Sequence, residues 1–68
     1  GQYAEAIPAL LKAVELEPNY PDAWRHLLHA YDRSGLAEKL AGARKWVGDT
    51  LPGEVERFER ERWKDLLE

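Results

Sequence analysis

The chain has 68 residues and a formal net charge of −3, with 44% hydrophobic and 34% charged residues. This length allows one small domain, and the mild negative charge argues against nucleic acid or an anionic membrane as the main partner. No apolar run approaches the roughly 20 residues that span a bilayer, and no signal-peptide pattern is present. The absence of cysteine excludes disulfides and fits a reducing compartment, so we expect a cytoplasmic protein, although many exported proteins also lack cysteine. Because the sequence begins without methionine, we expect a piece of a longer protein or a processed product.

Three breaker segments divide the chain into four stretches of helical periodicity. The breakers contain proline or glycine and lie at residues 18–21, 34–35 and 51–53. Between them, apolar residues recur at helical rather than alternating spacing. The spacing predicts helices over residues 3–16, 21–34, 37–50 and 53–67. Few residues favour strands, so the fold class is all-α, built from antiparallel helical hairpins with short links.

The first two predicted helices share one pattern, with apolar residues at i, i+3, i+4 and i+7. These residues are Ile7, Leu10, Leu11 and Val14 in the first helix, and Trp24, Leu27, Leu28 and Tyr31 in the second. Pro21 suits the first turn of the second helix, because the missing N–H is not needed there. Asp22 beside it favours the positive end of the helix dipole. Gly35 suits the left-handed residue that ends a helix.

The last two predicted helices are less regular. Their apolar residues are Leu40, Ala43, Trp46 and Val47 in the third, and Val55, Phe58, Trp63, Leu66 and Leu67 in the fourth. The fourth also has oppositely charged residues at i, i+4, namely Glu56 with Arg60 and Arg57 with Glu61. Such pairs stabilise an exposed helix face.

An internal repeat becomes visible when the chain is shifted by 34 residues, which aligns Gly1 with Gly35, Pro18 with Pro52 and Trp24 with Phe58. The sequence resembles the tetratricopeptide repeat (TPR) family, whose motif W-x2-L-[GA]-x2-Y is followed by G-x-[YF]-x2-A-x3-[FL]-x2-A and a proline. The first half of the motif is matched by Trp24, Leu27 and Tyr31. The second half is matched, from the repeat before, by Gly1, Tyr3, Ala6, Leu10, Ala13 and Pro18. The resemblance is strong over residues 1–36 and weak afterwards.

This resemblance implies a single TPR-like domain over residues 1–68, a short right-handed solenoid of about four helices. Residues 1–20 would be the second helix of a preceding repeat, residues 21–54 a complete repeat, and residues 55–68 a C-terminal capping helix. In the last helix Glu61, Arg62 and Asp65 stand where the motif has leucine, a small residue and tyrosine. A terminal repeat needs such a polar outer face, although an ordinary surface helix would carry the same charges.

The candidate site lies in the stretch WRHLLHAYDRSG, which carries His26 and His29. In TPR proteins the first helix of each repeat lines a concave groove, and by resemblance the positions facing it here are Asp22, Arg25, His29 and Asp32. Some relatives hold the C-terminal carboxylates of a peptide with lysine and asparagine on these helices. Arg25 occupies the lysine-like place and His29 the asparagine-like place, while the two flanking aspartates would repel an acidic tail. We expect Arg25 and His29 to be solvent-accessible and close together.

Other chemistries have weaker support. His26 and His29 with Asp22 could bind a divalent metal, but no H-E-x-x-H pattern or cysteine accompanies them. The single serine, Ser34, has no histidine placed to activate it, and no glycine-rich phosphate loop is present. We therefore expect no catalytic residue, no cofactor, no bound metal, and neither nucleic acid nor a membrane as a partner.

The sequence favours a protein–protein interaction scaffold that binds a peptide or partner helix in the concave groove. An architectural or oligomerisation end-piece of a larger solenoid or enzyme is the alternative, followed by a small metal-dependent enzyme. The apolar residues of the first helix span an arc of about 160°, wider than a surface helix needs. We therefore expect either self-association through residues 3–14 or a need for upstream repeats of a parent protein for solubility. Trp24 is expected to be largely buried between the first and third helices.

Overall fold

The structure is a computed structural model that describes the backbone of residues 2–67 and the side chains of residues 3–64. Helices account for nearly all of the described backbone, and no strand occurs in it. The helices are α1 (Gln2–Leu16), α2 (Pro21–Arg33), α3 (Ala37–Thr50) and α4 (Pro52–Leu67). The all-α prediction is confirmed, with helix ends within a residue of those expected.

The ends of α2 show why the chain turns where it does. Pro21 begins the helix, with Asp22 in its first turn. At the other end Gly35 has a φ of 71°, as predicted for a left-handed terminating residue. Its N–H donates to the carbonyl of Asp32 at 3.2 Å, and the N–H of Leu36 donates to the carbonyl of Tyr31 at 3.0 Å. These two bonds form a Schellman motif, which satisfies carbonyls left unpaired at the helix end.

Two apolar clusters meet on α2. The first joins α1 to α2, and its buried residues are Val14, Ala23, Leu27 and Tyr31. The second joins α2, α3 and α4, and its fully buried residues are Leu28, Val47 and Phe58. Helix α2 therefore lies between α1 on one side and α4 on another, and it packs on every other helix.

Trp24 lies at the edge of both clusters. Its ring stacks on Trp46 of α3, with centroids 4.5 Å apart, and its Nε1–H donates to the carbonyl of Pro18 at 2.8 Å. The sequence predicts a Trp24 side chain largely buried between α1 and α3; it is partly buried and packs against both clusters, which include residues of α1 and α3. The part of Trp24 that stays accessible lies at the first turn of α2, where Trp46 is also partly exposed and the indole N–H finds its acceptor in the α1–α2 link.

Candidate partner-binding cleft between α2 and α4

The four α2 residues predicted to line a groove differ in their surroundings. Asp22 is exposed, with 64% of its side chain accessible. The side chains of Arg25, His29 and Asp32 are 15%, 13% and 18% accessible. Arg25 and His29 lie close together, since both contact the same oxygen of Glu61. The expectation that these two side chains are open to solvent is wrong, because carboxylates of α4 pair with them and cover them.

Arg25 is the centre of an ion-pair cluster. Its Nη1 donates to Oε2 of Glu54 at 2.8 Å and to Oδ1 of Asp22 at 3.1 Å, and its Nε lies 3.0 Å from Oε1 of Glu61. Partial burial by itself lowers the pKa of the Arg25 guanidinium, but the hydrogen bond to Glu54 and the charges of Glu61 and Asp22 outweigh it, so the pKa is raised. Arg25 therefore remains charged throughout the accessible pH range.

His29 attaches α2 to α4 by two contacts. Its Nε2 lies 3.2 Å from Oε1 of Glu61, and its ring lies against Phe58 with the centroids 4.8 Å apart and the planes tilted by 60°. One helical turn further, Oδ2 of Asp32 pairs with Nε of Arg62 at 3.4 Å. The buried Phe58 is thus flanked by a row of ion pairs between α2 and α4.

Most ion pairs of α4 within the described residues join it to another helix rather than run along it. Neither predicted i, i+4 pair, Glu56 with Arg60 or Arg57 with Glu61, forms an ion pair among the described residues. Glu61 instead contacts Arg25 of α2. An exposed pair along one helix contributes only about 0.3–0.5 kcal/mol, whereas the charge of Arg25 is partly shielded from water and attracts a carboxylate more strongly. Glu54, Phe58 and Glu61 occur at i, i+4 and i+7, so one face of α4 carries all three toward α2.

A cleft of about 250 Å³ lies beside these ion pairs, lined by Arg25, Arg57, Arg60 and Glu61. Arg57 is 64% accessible and lies 3.9 Å from the nearest oxygen of Glu54. Arg60 is exposed and takes part in no ion pair within residues 3–64. Sequence reasoning assigned neither arginine to the site. Their i, i+3 spacing beside Glu61 was the available signal, but it required knowing which face of α4 lies next to α2.

No group of three or more histidine, aspartate or glutamate side chains within residues 3–64 is placed to hold a metal ion. His26, proposed in the metal alternative, is exposed, whereas His29 lies against Phe58 and Glu61. Among the described helices, none is both long and apolar enough to cross a bilayer.

Comparison with known proteins identifies the family. A family model of the TPR repeat matches residues 1–35, just over half of the 68-residue chain, and the chain therefore belongs to the TPR family. TPR repeats generally mediate protein–protein interactions. The match ends at Gly35, where the sequence motif also fades. Neither a curated protein nor a solved structure matches the chain.

Proposed function

We propose that this domain is a protein–protein interaction module that binds a peptide or a partner helix along the face of α2 that carries Asp22, Arg25, His29 and Asp32. The observation that carries the proposal is the cleft beside Arg25, a predicted groove position on a chain of the TPR family. Fold alone does not establish function. The proposal therefore depends on whether a partner can replace one of the contacts that the cleft residues make within the chain.

Arg25 can accept a partner without losing its contacts to α4. Its bond to Glu54 is partly buried, with 12% of the Glu54 side chain accessible, whereas Asp22 is exposed. A partner carboxylate can take the place of Asp22, because that exchange replaces one ion pair by another and frees Asp22 to water. In this mechanism His29 and Asp32 act by holding α4, which forms the other wall of the cleft.

The proposed mechanism contains no catalytic step. The proposal retains the division of the chain into the second helix of a preceding repeat (residues 1–20), a complete repeat (residues 21–54) and a C-terminal capping helix (residues 55–68). The cap is supported by the exposed charges of Glu56, Arg57 and Arg60, although Trp63 on the same side is 62% exposed and apolar.

An architectural or oligomerisation role is the second candidate, and the surface of α1 favours it. Tyr3 and Leu11 are 49% and 42% exposed, and α1 packs only on α2 within the described residues. Exposed apolar side chains grouped on one helix are typical of association surfaces.

Selection from a library of displayed, randomised short peptides tests the interaction role. We expect sequence-related peptides to be enriched on the chain, and their affinity to fall about tenfold or more in Arg25→Ala/His29→Ala. The matched control is Lys39→Ala/Lys45→Ala, which removes two exposed cations from α3 and should leave binding unchanged. No enrichment, or equal binding by the folded double variant, would overturn the proposal.

Because Arg25→Ala/His29→Ala removes contacts that hold α4, circular dichroism must show that it folds. If it does not fold, Asp22→Ala decides, since Asp22 is exposed and contributes little to packing. Removal of the competing carboxylate should tighten the selected peptides that carry an acidic residue. Unchanged affinity of every selected peptide would contradict a site at Arg25.

A further inference from the structure

Two arginines on α4 are poorly paired compared with their neighbours. Arg25, Arg44 and Arg62 each have a carboxylate oxygen within 3.4 Å. Arg57 reaches only 3.9 Å from Glu54, whose other oxygen already accepts from Arg25, and Arg60 has no ion pair among the described residues. On a chain with a net charge of −3, two available guanidinium groups side by side form a local cationic site.

These arginines belong to a row that ends in an exposed tryptophan. Arg57, Arg60 and Trp63 are spaced three residues apart, so neighbours along the row have Cβ atoms about 5–6 Å from each other. Trp63 is 62% exposed. Arginine and tryptophan are among the residues that dominate binding energy at protein interfaces. We call the row of Arg57, Arg60 and Trp63 the α4 ridge.

We propose that the α4 ridge, continuous with Arg25 in the cleft, is a docking surface for an acidic peptide segment. This inference rests on the proposed function and deepens it by naming the chemistry of the partner. Each guanidinium offers two parallel N–H donors to one carboxylate, a geometry that lysine lacks. An apolar side chain of the same segment packs on the indole of Trp63.

The spacing of the ridge sets the pattern of the partner. In an extended peptide, residues at alternate positions lie on one side and are about 6.6 Å apart. That distance suits the separation of Arg57 from Arg60 and of Arg60 from Trp63. The partner segment therefore has the pattern acidic-x-acidic-x-apolar, with its acidic residues at Arg57 and Arg60 and its apolar residue at Trp63. The segment can run in either chain direction.

The charges around the ridge favour separate carboxylates over a polyanion. Glu61 lines the same cleft, and Glu56 and Glu59 are neighbours of the ridge on α4. A nucleic acid backbone requires a continuous cationic surface, which these glutamates interrupt. A peptide can place its acidic side chains on the two arginines and leave neutral residues beside the glutamates.

Fluorescence anisotropy with synthetic peptides tests the inference. The probes are a labelled acidic-x-acidic-x-leucine peptide, its Asn/Gln counterpart, its lysine counterpart and a counterpart with phosphoserine at one acidic position. We expect the acidic peptide to bind about tenfold or more tightly than the Asn/Gln peptide, and Arg57→Glu/Arg60→Glu to reduce its affinity by a similar factor. Trp63→Ala should weaken it several-fold, and added salt should weaken it further.

The control variant is Lys39→Glu/Lys45→Glu, which makes the same change in net charge at exposed positions of α3. It should bind the acidic peptide within about twofold of the unchanged chain, because non-specific attraction is screened over about 10 Å at moderate salt. Equal losses in the control and in Arg57→Glu/Arg60→Glu would overturn a specific site. Since Arg57 and Arg60 are exposed, melting temperatures of the variants should remain close to that of the unchanged chain.

The outcomes separate this inference from the proposed function. One outcome is that the selected peptides depend on Arg25 yet carry no acidic residue and bind Arg57→Glu/Arg60→Glu unchanged. That result would overturn the proposal for the α4 ridge and would leave the proposed function standing. Binding of the phosphoserine peptide without binding of the acidic peptide would overturn the carboxylate assignment. If no library peptide is enriched and no acidic peptide binds, both proposals are overturned.

Discussion

The two sides of α2 are built by different physical means. Toward α1 the contact is apolar, formed by Val14, Leu27 and Tyr31 with their neighbours. Toward α4 a single buried ring, Phe58, is flanked by the ion pairs of Arg25 and Asp32 and by the contact of His29 with Glu61. Apolar contact is non-directional and scales with buried area, whereas ion pairs depend on geometry and salt. The α1 side of α2, which matches the family motif, should therefore tolerate changes that keep its buried apolar area. The α4 side, where the motif fades, should depend on which charged residues are present.

The largest expected effects come from the buried side chains of the two interfaces, Leu27 and Phe58, which are both fully buried. Leu27→Ala should lower the free energy of unfolding by about 2–5 kcal/mol and Phe58→Ala by about 3–5 kcal/mol. Each loss is comparable with the whole stability of so small a domain, at about 0.05–0.15 kcal/mol per residue. Urea unfolding followed by circular dichroism measures both.

The two variants should nevertheless differ in which helices lose protection from hydrogen exchange. Native-state hydrogen exchange should show that Phe58→Ala exposes the amides of α4 while α1 and α2 keep part of their protection, because their cluster does not include Phe58. Leu27→Ala should expose all helices together. Identical exchange patterns for the two variants would contradict the view that the interfaces are distinct.

A smaller effect is expected from Arg25→Leu. It removes the guanidinium shared by Glu54 and Glu61, which leaves Glu54 with Arg57 at 3.9 Å and Glu61 with His29 at 3.2 Å, and we expect a loss of about 1–3 kcal/mol. Arg44→Leu, the control, breaks only the more exposed pair with Glu59 and should cost less than about 1 kcal/mol. Thermal melts at low and high salt measure both losses. A loss for Arg25→Leu no larger than that of the control would show that the α2–α4 ion pairs do not stabilise the domain.

The next effect concerns Trp24. Trp24→Phe keeps an aromatic ring against Trp46 but removes the hydrogen bond to the carbonyl of Pro18, so we expect a loss of about 1 kcal/mol. Trp63→Phe removes an indole N–H from an exposed side chain and should change the melting temperature little. Equal shifts in the two melts would mean that the Pro18 bond contributes nothing.

The smallest effect on stability is expected on α1, where Tyr3→Gln/Leu11→Gln changes two exposed side chains. If α1 is an association surface, light scattering at two concentrations should show a mass that rises with concentration for the unchanged chain and stays monomeric for this variant. Trp63→Gln, which changes an exposed side chain on α4, is the control. A monomer at high concentration for the unchanged chain would exclude self-association through residues 3–14.

The sequence predicts the positions of the helices and of their links, because both are determined by residues close to each other along the chain. The apolar spacing of Leu27 and Tyr31 and the glycine at position 35 are readable without neighbours. It did not predict the pairing of Glu61 with Arg25 or the cleft beside Arg57, because these depend on the register of α4 against α2. Helical periodicity tells which face is apolar, but it does not tell which charge of one helix meets which charge of another.

Arg25 holds α4 on α2 through specific carboxylates, and a double-mutant cycle between Arg25 and Glu54 tests this role most directly. The measurement is the free energy of unfolding in urea for the unchanged chain, Arg25→Ala, Glu54→Ala and the double variant. We predict a coupling energy of about 1 kcal/mol or more that decreases with added salt. Additive losses, with no coupling at low salt, would contradict the claim.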